Sequence, residues 1–195
     1  FTQTETVKEI QKLIKKFYSK NVSEKPAFAD GHLAYLEELI LKLGKRSPAK
    51  LIFSNYLEIN DSVFGNYASK TDASFLFQLR KINFGMMQLA QKHSNVFIND
   101  LVVLQNQFSL PYISDPKFYI NSDIAFGIDF LPHLAKNTLD IIKSLEGKIN
   151  KCLILDLDNT LWGGIIGDDG VENIQVGDLG IGKAFTELQL WAKQF

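Results

Sequence analysis

Hydrophobic and polar positions follow two periodicities along this chain. In TVKEIQKLIKKFY, Val7, Ile10, Leu13, Ile14 and Phe17 recur three or four residues apart with lysines between them. That spacing predicts an amphipathic helix, with Thr6 and Glu9 placed as a capping box at its start. NVSEKPAFADG interrupts the pattern, and HLAYLEELILKLGK resumes it as a second helix closed by Gly44. AKLIFSNY, after Pro48, is a short apolar run of the kind that forms a buried strand. Residues 56–71 are rich in Asn, Ser, Asp and Gly and predict a long loop. TDASFLFQLRKINFGMMQLAQKH predicts a helix capped by Thr71 or Asp72, with Phe75, Leu79, Ile82, Met86 and Leu89 on one face. NVFINDL predicts a second strand. Strand, crossing helix and strand together imply parallel pairing, because parallel neighbours need a crossover of that length. LVVLQNQ follows as a short helix, residues 108–130 as an irregular aromatic stretch with Pro111 and Pro116, LPHLAKNTLDIIKSLEG as a helix and KCLILDL as another strand.

This order predicts an α/β protein. Residues 1–148 are read as one domain, Lys148 to Lys151 as a polar junction, and residues 149–195 as the start of a second domain. A hydrophobic content of 46% supports a real core, and a net charge of -1 gives no electrostatic reason to expect nucleic acid or membrane as a partner. The single cysteine, Cys152, excludes an intrachain disulfide and suits a reducing, cytoplasmic compartment. No apolar run approaches the roughly 20 residues needed to span a bilayer. FTQTETVKEI lacks the basic and apolar regions of a signal peptide, and a first residue that is Phe1 rather than Met predicts a cut or processed start.

The chemistry concentrates in KCLILDLDNTLWGG. CLIL has no polar alternation, as in a parallel strand buried on both faces. Asp156 and Asp158 fall at its carboxyl end, where open α/β sheets place their ligands. On extended backbone a spacing of two turns both side chains to one side. Two adjacent carboxylates repel, so one keeps its proton or a cation lies between them. The pair therefore suits a nucleophile with a general acid, or a divalent metal site. Without further context, the same string is a strand ending in an Asx turn.

DLDNT resembles the first motif of the haloacid dehalogenase superfamily, Asp-x-Asp-x-Thr after an apolar strand. The longer string KCLILDLDNTLWGGIIGDDGVENIQVG, followed by GIGKAFTELQLWAK, resembles the narrower FkbH-like group, subfamily IIIC. The resemblance covers residues 151–194 and implies the first strand, flap and helix of a Rossmann-like catalytic domain. It implies that Asp156 is a nucleophile forming an aspartyl-phosphate and that Asp158 is the general acid and base. It also implies Mg²⁺ held by the Asp156 carboxylate and the Asp158 backbone carbonyl, and phosphate or substrate contacts from Thr160, Asn159, Gly163 and Gly164. Trp162 packs under the flap or lines the pocket, with packing favoured. Asp168 and Asp169 are read as a turn, and Gly163, Gly164 and Gly167 as positions of unusual backbone angle. For Cys152 the resemblance allows an acyl intermediate, but its place inside the apolar strand favours inert core packing. The superfamily also needs a Ser or Thr, a Lys and a further acidic pair downstream. This predicts an inactive fragment of an active parent.

The first domain resembles the SGNH-hydrolase-like region that precedes the catalytic core in FkbH-like proteins. That implies a three-layer, flavodoxin-like parallel sheet, here expected to lack its first strand or strands. The resemblance rests on LIFSNYLE, LRKINFGMMQLA and NVFINDL. No Gly-Asp-Ser nucleophile element is present, and Asp129 and His133 lack the expected Asp-x-x-His spacing. His133 is read as opening the following helix, Asn55 as a turn former rather than an oxyanion-hole donor, and His32 and His93 as helix-end residues. The family implies glyceryl transfer from a phosphoglycerate to an acyl carrier protein. A non-catalytic module that binds a carrier protein or assembly partner is the alternative.

Overall fold

The computed structural model describes residues 6–122, 124 and 126–194, with side chains at all of these except 6–9, 116 and 118. The capping box expected at Thr6 and Glu9, and the contribution of Val7 to the first helix face, lie outside the described side chains. The chain divides into two units, one ending at Glu146 and one beginning at Gly147. The architecture is mixed α/β, mostly helical with a small parallel sheet. Among the described residues no helix is long and apolar enough to cross a membrane.

The first unit carries α1 (Thr6–Tyr18), α2 (Phe28–Arg46), β1 (Leu51–Ser54), α3 (Phe75–Lys92), β2 (Val96–Asn99), α4 (Leu101–Gln107), α5 (Leu110–Ile113), α6 (Pro116–Ser122) and α7 (Leu131–Leu145). β1 and β2 pair in parallel, from Leu51 opposite Val96 to Ser54 opposite Asn99, with α3 as the crossover. All four β1 residues are buried, as expected of a strand covered on both faces. Among the described residues the sheet has two strands.

The periodic faces enter one core. Ile10, Leu13 and Phe17 of α1 and Phe75, Leu79, Ile82, Met86 and Leu89 of α3 are buried in the same hydrophobic cluster. Phe17 meets Phe28 edge-on at 5.3 Å and Phe75 at 5.5 Å. α2 and α3 pack closely because Gly85 leaves a notch: a Cβ there would collide with the side chain of Leu33. Two helix ends differ from expectation. α2 continues through Gly44 to Arg46 and stops short of Pro48, whose ring disfavours a helical residue before it. α3 is capped by Ser74, whose Oγ accepts from Phe77 N at 3.1 Å, and not by Thr71 or Asp72. Thr71 instead closes a preceding turn, its Oγ1 accepting from Ala73 N.

Past Ser54 the chain runs on in a buried path beyond the sheet. Asn55 N still donates to Asn99 O at 3.3 Å. Side-chain amides then take over. Asn83 of α3 accepts from Tyr56 N at 2.9 Å and donates to Tyr56 O at 2.8 Å. Gln105 of α4 does the same for Glu58, at 2.8 and 2.9 Å. Gln78, fully buried, accepts from Ala29 N and donates to Pro26 O and Asp72 O, fixing the start of α2. A buried peptide group without a partner is costly, so each amide supplies what a missing strand would.

A charged tie joins α2 to the end of α3: Glu37 Oε1 accepts from Lys92 Nζ at 2.7 Å and His93 Nε2 at 3.0 Å. The hydrogen bonds from Lys92 and then His93 hold the Glu37 carboxyl below the usual glutamate range.

The second unit contains α8 (Ile166–Asp169) and α9 (Gly182–Ala192). Here the sequence expectation is corrected. Residues 151–155 form no strand, and Ile154 is 88% exposed. A parallel strand exists only through its neighbours, and the second unit offers this segment none. Cys152 is consequently exposed and not packed in a core.

Asn83→Ala should destabilise the first unit by about 2 kcal/mol, because the N–H and C=O of Tyr56 lose their partner; urea unfolding checks this. Glu37→Gln should be destabilising at neutral pH. The lowered pKa means that the wild-type advantage is full above the ordinary glutamate range and vanishes as pH falls through the lowered value. Unfolding midpoints of the two proteins should therefore converge in acid.

Candidate active site

The motif residues lie on a loop built by its own hydrogen bonds. Leu157 O accepts from Thr160 N at 3.2 Å and Leu161 N at 2.8 Å, closing a tight turn just after Asp156. Asn159, at that turn, takes a left-handed conformation with φ of 55°, which Asn tolerates better than most residues. Its Oδ1 accepts from Gly164 N at 2.9 Å. Gly163 and Gln175 exchange two backbone hydrogen bonds, at 3.0 and 2.8 Å, and Gln189 of α9 donates to Leu161 O at 2.6 Å. The loop is thus anchored on both sides.

The two motif aspartates differ in environment. Asp156 is exposed, and its Oδ1 accepts from Leu157 N at 2.9 Å. Asp158 is half-buried. Its Oδ1 accepts from the Trp162 indole Nε1 at 3.0 Å and from Ile166 N at 3.3 Å. Trp162 is therefore a half-buried hydrogen-bond donor to the motif. Thr160 is half-buried on the same turn.

The glycines separate by function. Gly164 has φ of 99°, and a Cβ there would lie 2.9 Å from Asp169 Oδ2. Gly163 is buried for reasons of space: a Cβ would lie 2.8 Å from Gln175 Oε1 and 2.9 Å from Phe185 Cε2. Gly167 has neither a positive φ nor a close neighbour, so the unusual angle expected there is absent. Asp168 and Asp169 form the single turn α8, and Asp169 Oδ2 accepts from Ile165 N at 2.8 Å.

Among the described residues no group of three or more His, Cys, Asp or Glu is placed to hold a metal ion. Asp156 nonetheless offers an exposed carboxylate, a hard oxygen donor. Mg²⁺ commonly takes one or two carboxylates and keeps several waters. The donors of this segment fit part of a Mg²⁺ shell.

The first-unit candidates are committed elsewhere. Asn55 is buried, donates to Asp100 Oδ1 at 2.7 Å and accepts from Leu101 N at 2.6 Å. Asp100 in turn caps α4, so Asn55 ties the two strand ends together and forms neither a turn nor an oxyanion hole. His133 is the third residue of α7 and packs 4.3 Å from the Phe108 ring. Asp129 offers its backbone O, not its side chain, to Tyr112. His32 meets the Tyr56 hydroxyl at 3.1 Å. The bracing amides Gln78, Asn83 and Gln105 and the Ile166 N–H were missed by sequence reasoning. The only visible trace of the amides was a polar residue on an otherwise apolar helix face, and the backbone N–H left none.

The family description "FkbH, N-terminal domain" matches residues 6–143. Among solved structures, the N-terminal part of the protein BF1531 from Bacteroides fragilis, containing a phosphatase domain and complexed with Mg, is 42% identical with a TM-score of 0.84. The similarity covers 94% of this chain, which extends well past Gly147, and 48% of that one. This chain therefore spans about half the length of that structure. No curated protein matches.

Gly163→Ala should destabilise the second unit by about 1–3 kcal/mol, since Gln175 and Phe185 must both give way. The measurement is a proteolysis-resistance comparison of the loop in variant and wild type.

Proposed function

The chain belongs to the FkbH N-terminal-domain family, and from that premise we propose that it is the opening part of a Mg²⁺-dependent phosphatase or phosphotransferase of the haloacid dehalogenase type. The observation that carries this reading is the intact set Asp156, Asp158 and Thr160 on one self-anchored turn, in a chain 42% identical to a protein containing a phosphatase domain.

In this reading an Asp156 carboxylate oxygen attacks phosphorus in line with the leaving oxygen and forms an aspartyl-phosphate. Asp158 gives its proton to the departing oxygen. It then takes one from the water or other acceptor that releases the phosphate. The half-buried setting of Asp158, against the exposed one of Asp156, suits this division of roles. Thr160 and Asn159, with backbone from Gly163 and Gly164, orient the turn toward phosphate. Bound Mg²⁺ would neutralise charge between nucleophile and phosphate, held here by the Asp156 carboxylate and the Asp158 carbonyl. Cys152, outside any core, stays a minor candidate for an acyl intermediate.

The family resemblance extends the proposal to a phosphorylated three-carbon acid as substrate, with glyceryl transfer to an acyl carrier protein in the cytoplasm. The first unit then serves as an SGNH-like scaffold or partner-recognition domain. Its parallel β1–α3–β2 unit supports that relationship, and the structural engagement of Asn55 and Asp100 supports a non-hydrolytic role. The alternative is a carrier- or partner-binding module without catalysis.

In the Mg²⁺-loaded full-length protein, Asp156→Asn should lower phosphate release from a phosphomonoester by about a thousandfold or more, and chelation of Mg²⁺ should do likewise. Full activity in the variant would remove the assignment.

A further inference from the structure

Two N–H groups converge on one oxygen of Asp158. The Trp162 indole Nε1 lies 3.0 Å and the Ile166 backbone N 3.3 Å from Oδ1. Trp162 follows Asp158 by four residues on the same turn. Ile166 opens α8, within the glycine-flanked segment whose Ile165 N is held by Asp169. We propose that Trp162, with the Ile166 N–H, is a positioning residue that makes Oδ1 the fixed acceptor oxygen of Asp158 and leaves Oδ2 to carry the transferred proton. The inference rests on the role of Asp158 proposed above.

A protonated carboxyl has one carbonyl-like oxygen and one hydroxyl oxygen, and the hydroxyl oxygen is the poorer acceptor. Two N–H donors on Oδ1 therefore select it as the carbonyl-like oxygen. The proton is confined to Oδ2. As the bond between phosphorus and the leaving oxygen breaks, that proton moves from Oδ2 to the leaving oxygen, while the Asp156 oxygen bonds to phosphorus. Asp158 ends as a carboxylate and the leaving group as a neutral alcohol. Charge thus develops on Asp158 during the step, and the two N–H groups strengthen their bonds to it as it does. Pre-set donors aimed at developing charge favour the transition state over the ground state. The Ile166 bond links Asp158 to the segment that begins at Ile165, so the orientation of the carboxyl follows the placement of that segment.

The test separates acid catalysis from general structural damage. A p-nitrophenyl leaving group departs without a proton, whereas an alkyl alcohol needs one. In the Mg²⁺-loaded full-length protein, Trp162→Phe keeps an aromatic ring, smaller than the indole, and removes the N–H. It should lower kcat/KM for an alkyl phosphomonoester about tenfold and leave that for p-nitrophenyl phosphate within about twofold. Equal losses on both substrates, or no loss on the alkyl ester, would overturn the proposal. A second measurement needs neither catalysis nor a stable Trp162 variant. In ¹⁵N-labelled protein the Trp162 indole N–H resonance should shift in Asp158→Ala, while that of Trp191 stays. An unmoved Trp162 resonance overturns the proposal even if Asp156→Asn shows the phosphatase reading to be right. A shifted resonance in a protein indifferent to Asp156→Asn sustains the contact and removes the phosphatase role.

Discussion

A buried backbone that leaves a sheet must find hydrogen-bond partners, and in the first unit that requirement organises everything around β1. The strand pairs on one side with β2 for only four residues. Beyond Ser54 the chain stays buried while the ladder stops. Asn83 and Gln105 each grip a peptide unit from a helix, and Gln78 grips two backbone groups at the start of α2 and one shortly before α3. An unmet buried peptide group costs on the order of 1–3 kcal/mol, comparable with a sizeable share of a small domain's stability. The crossover helix α3 therefore has two duties: its apolar stripe fills the core, and its amides set where β1 ends and where α2 begins. The close approach of α2 permitted by Gly85 is part of the same arrangement.

These duties explain which parts of the fold were legible in the sequence. Helical spacing located α1, α2, α3 and α7, and every residue named for the α3 face is buried. Parallel pairing of the two short apolar runs followed from the length of the helix between them. Gln78 and Asn83 were not legible, because a polar residue on an apolar face looks the same whether it meets water or a buried peptide. The N-cap of α3 was misplaced by a few residues because Thr71, Asp72 and Ser74 are all competent caps, and only the turn at Thr71 decides among them. KCLIL has the composition of a buried strand, but pairing is a property of neighbours, and the second unit supplies none to this segment. The exposure of Cys152 follows from the same fact.

The motif turn is another matter. It was legible as a string, and its shape depends little on a sheet. Asp158, Asn159 and Asp169 each accept a backbone N–H within the turn or the segment after it, Gly163 pairs with Gln175, and Gln189 holds Leu161 from α9. Side chains that double as chemical groups and as turn formers let a short segment hold its geometry by local bonds. What the string could not reveal was the direction of those bonds, which depends on Asn159 adopting its left-handed conformation and on where the indole of Trp162 comes to lie.

The extended segment before the turn has a consequence for how the chain behaves in company. Residues 152–155 are Cys, Leu, Ile and Leu, exposed to differing degrees and unpaired in any strand, with no proline and no charge among them. Such a stretch is a template for strand addition by another molecule. Its first neighbouring charge on one side is Lys151 and on the other Asp156, which act as gatekeepers at its two ends. Any polypeptide that covers this segment also removes an association hazard, so its covering governs colloidal behaviour as well as folding.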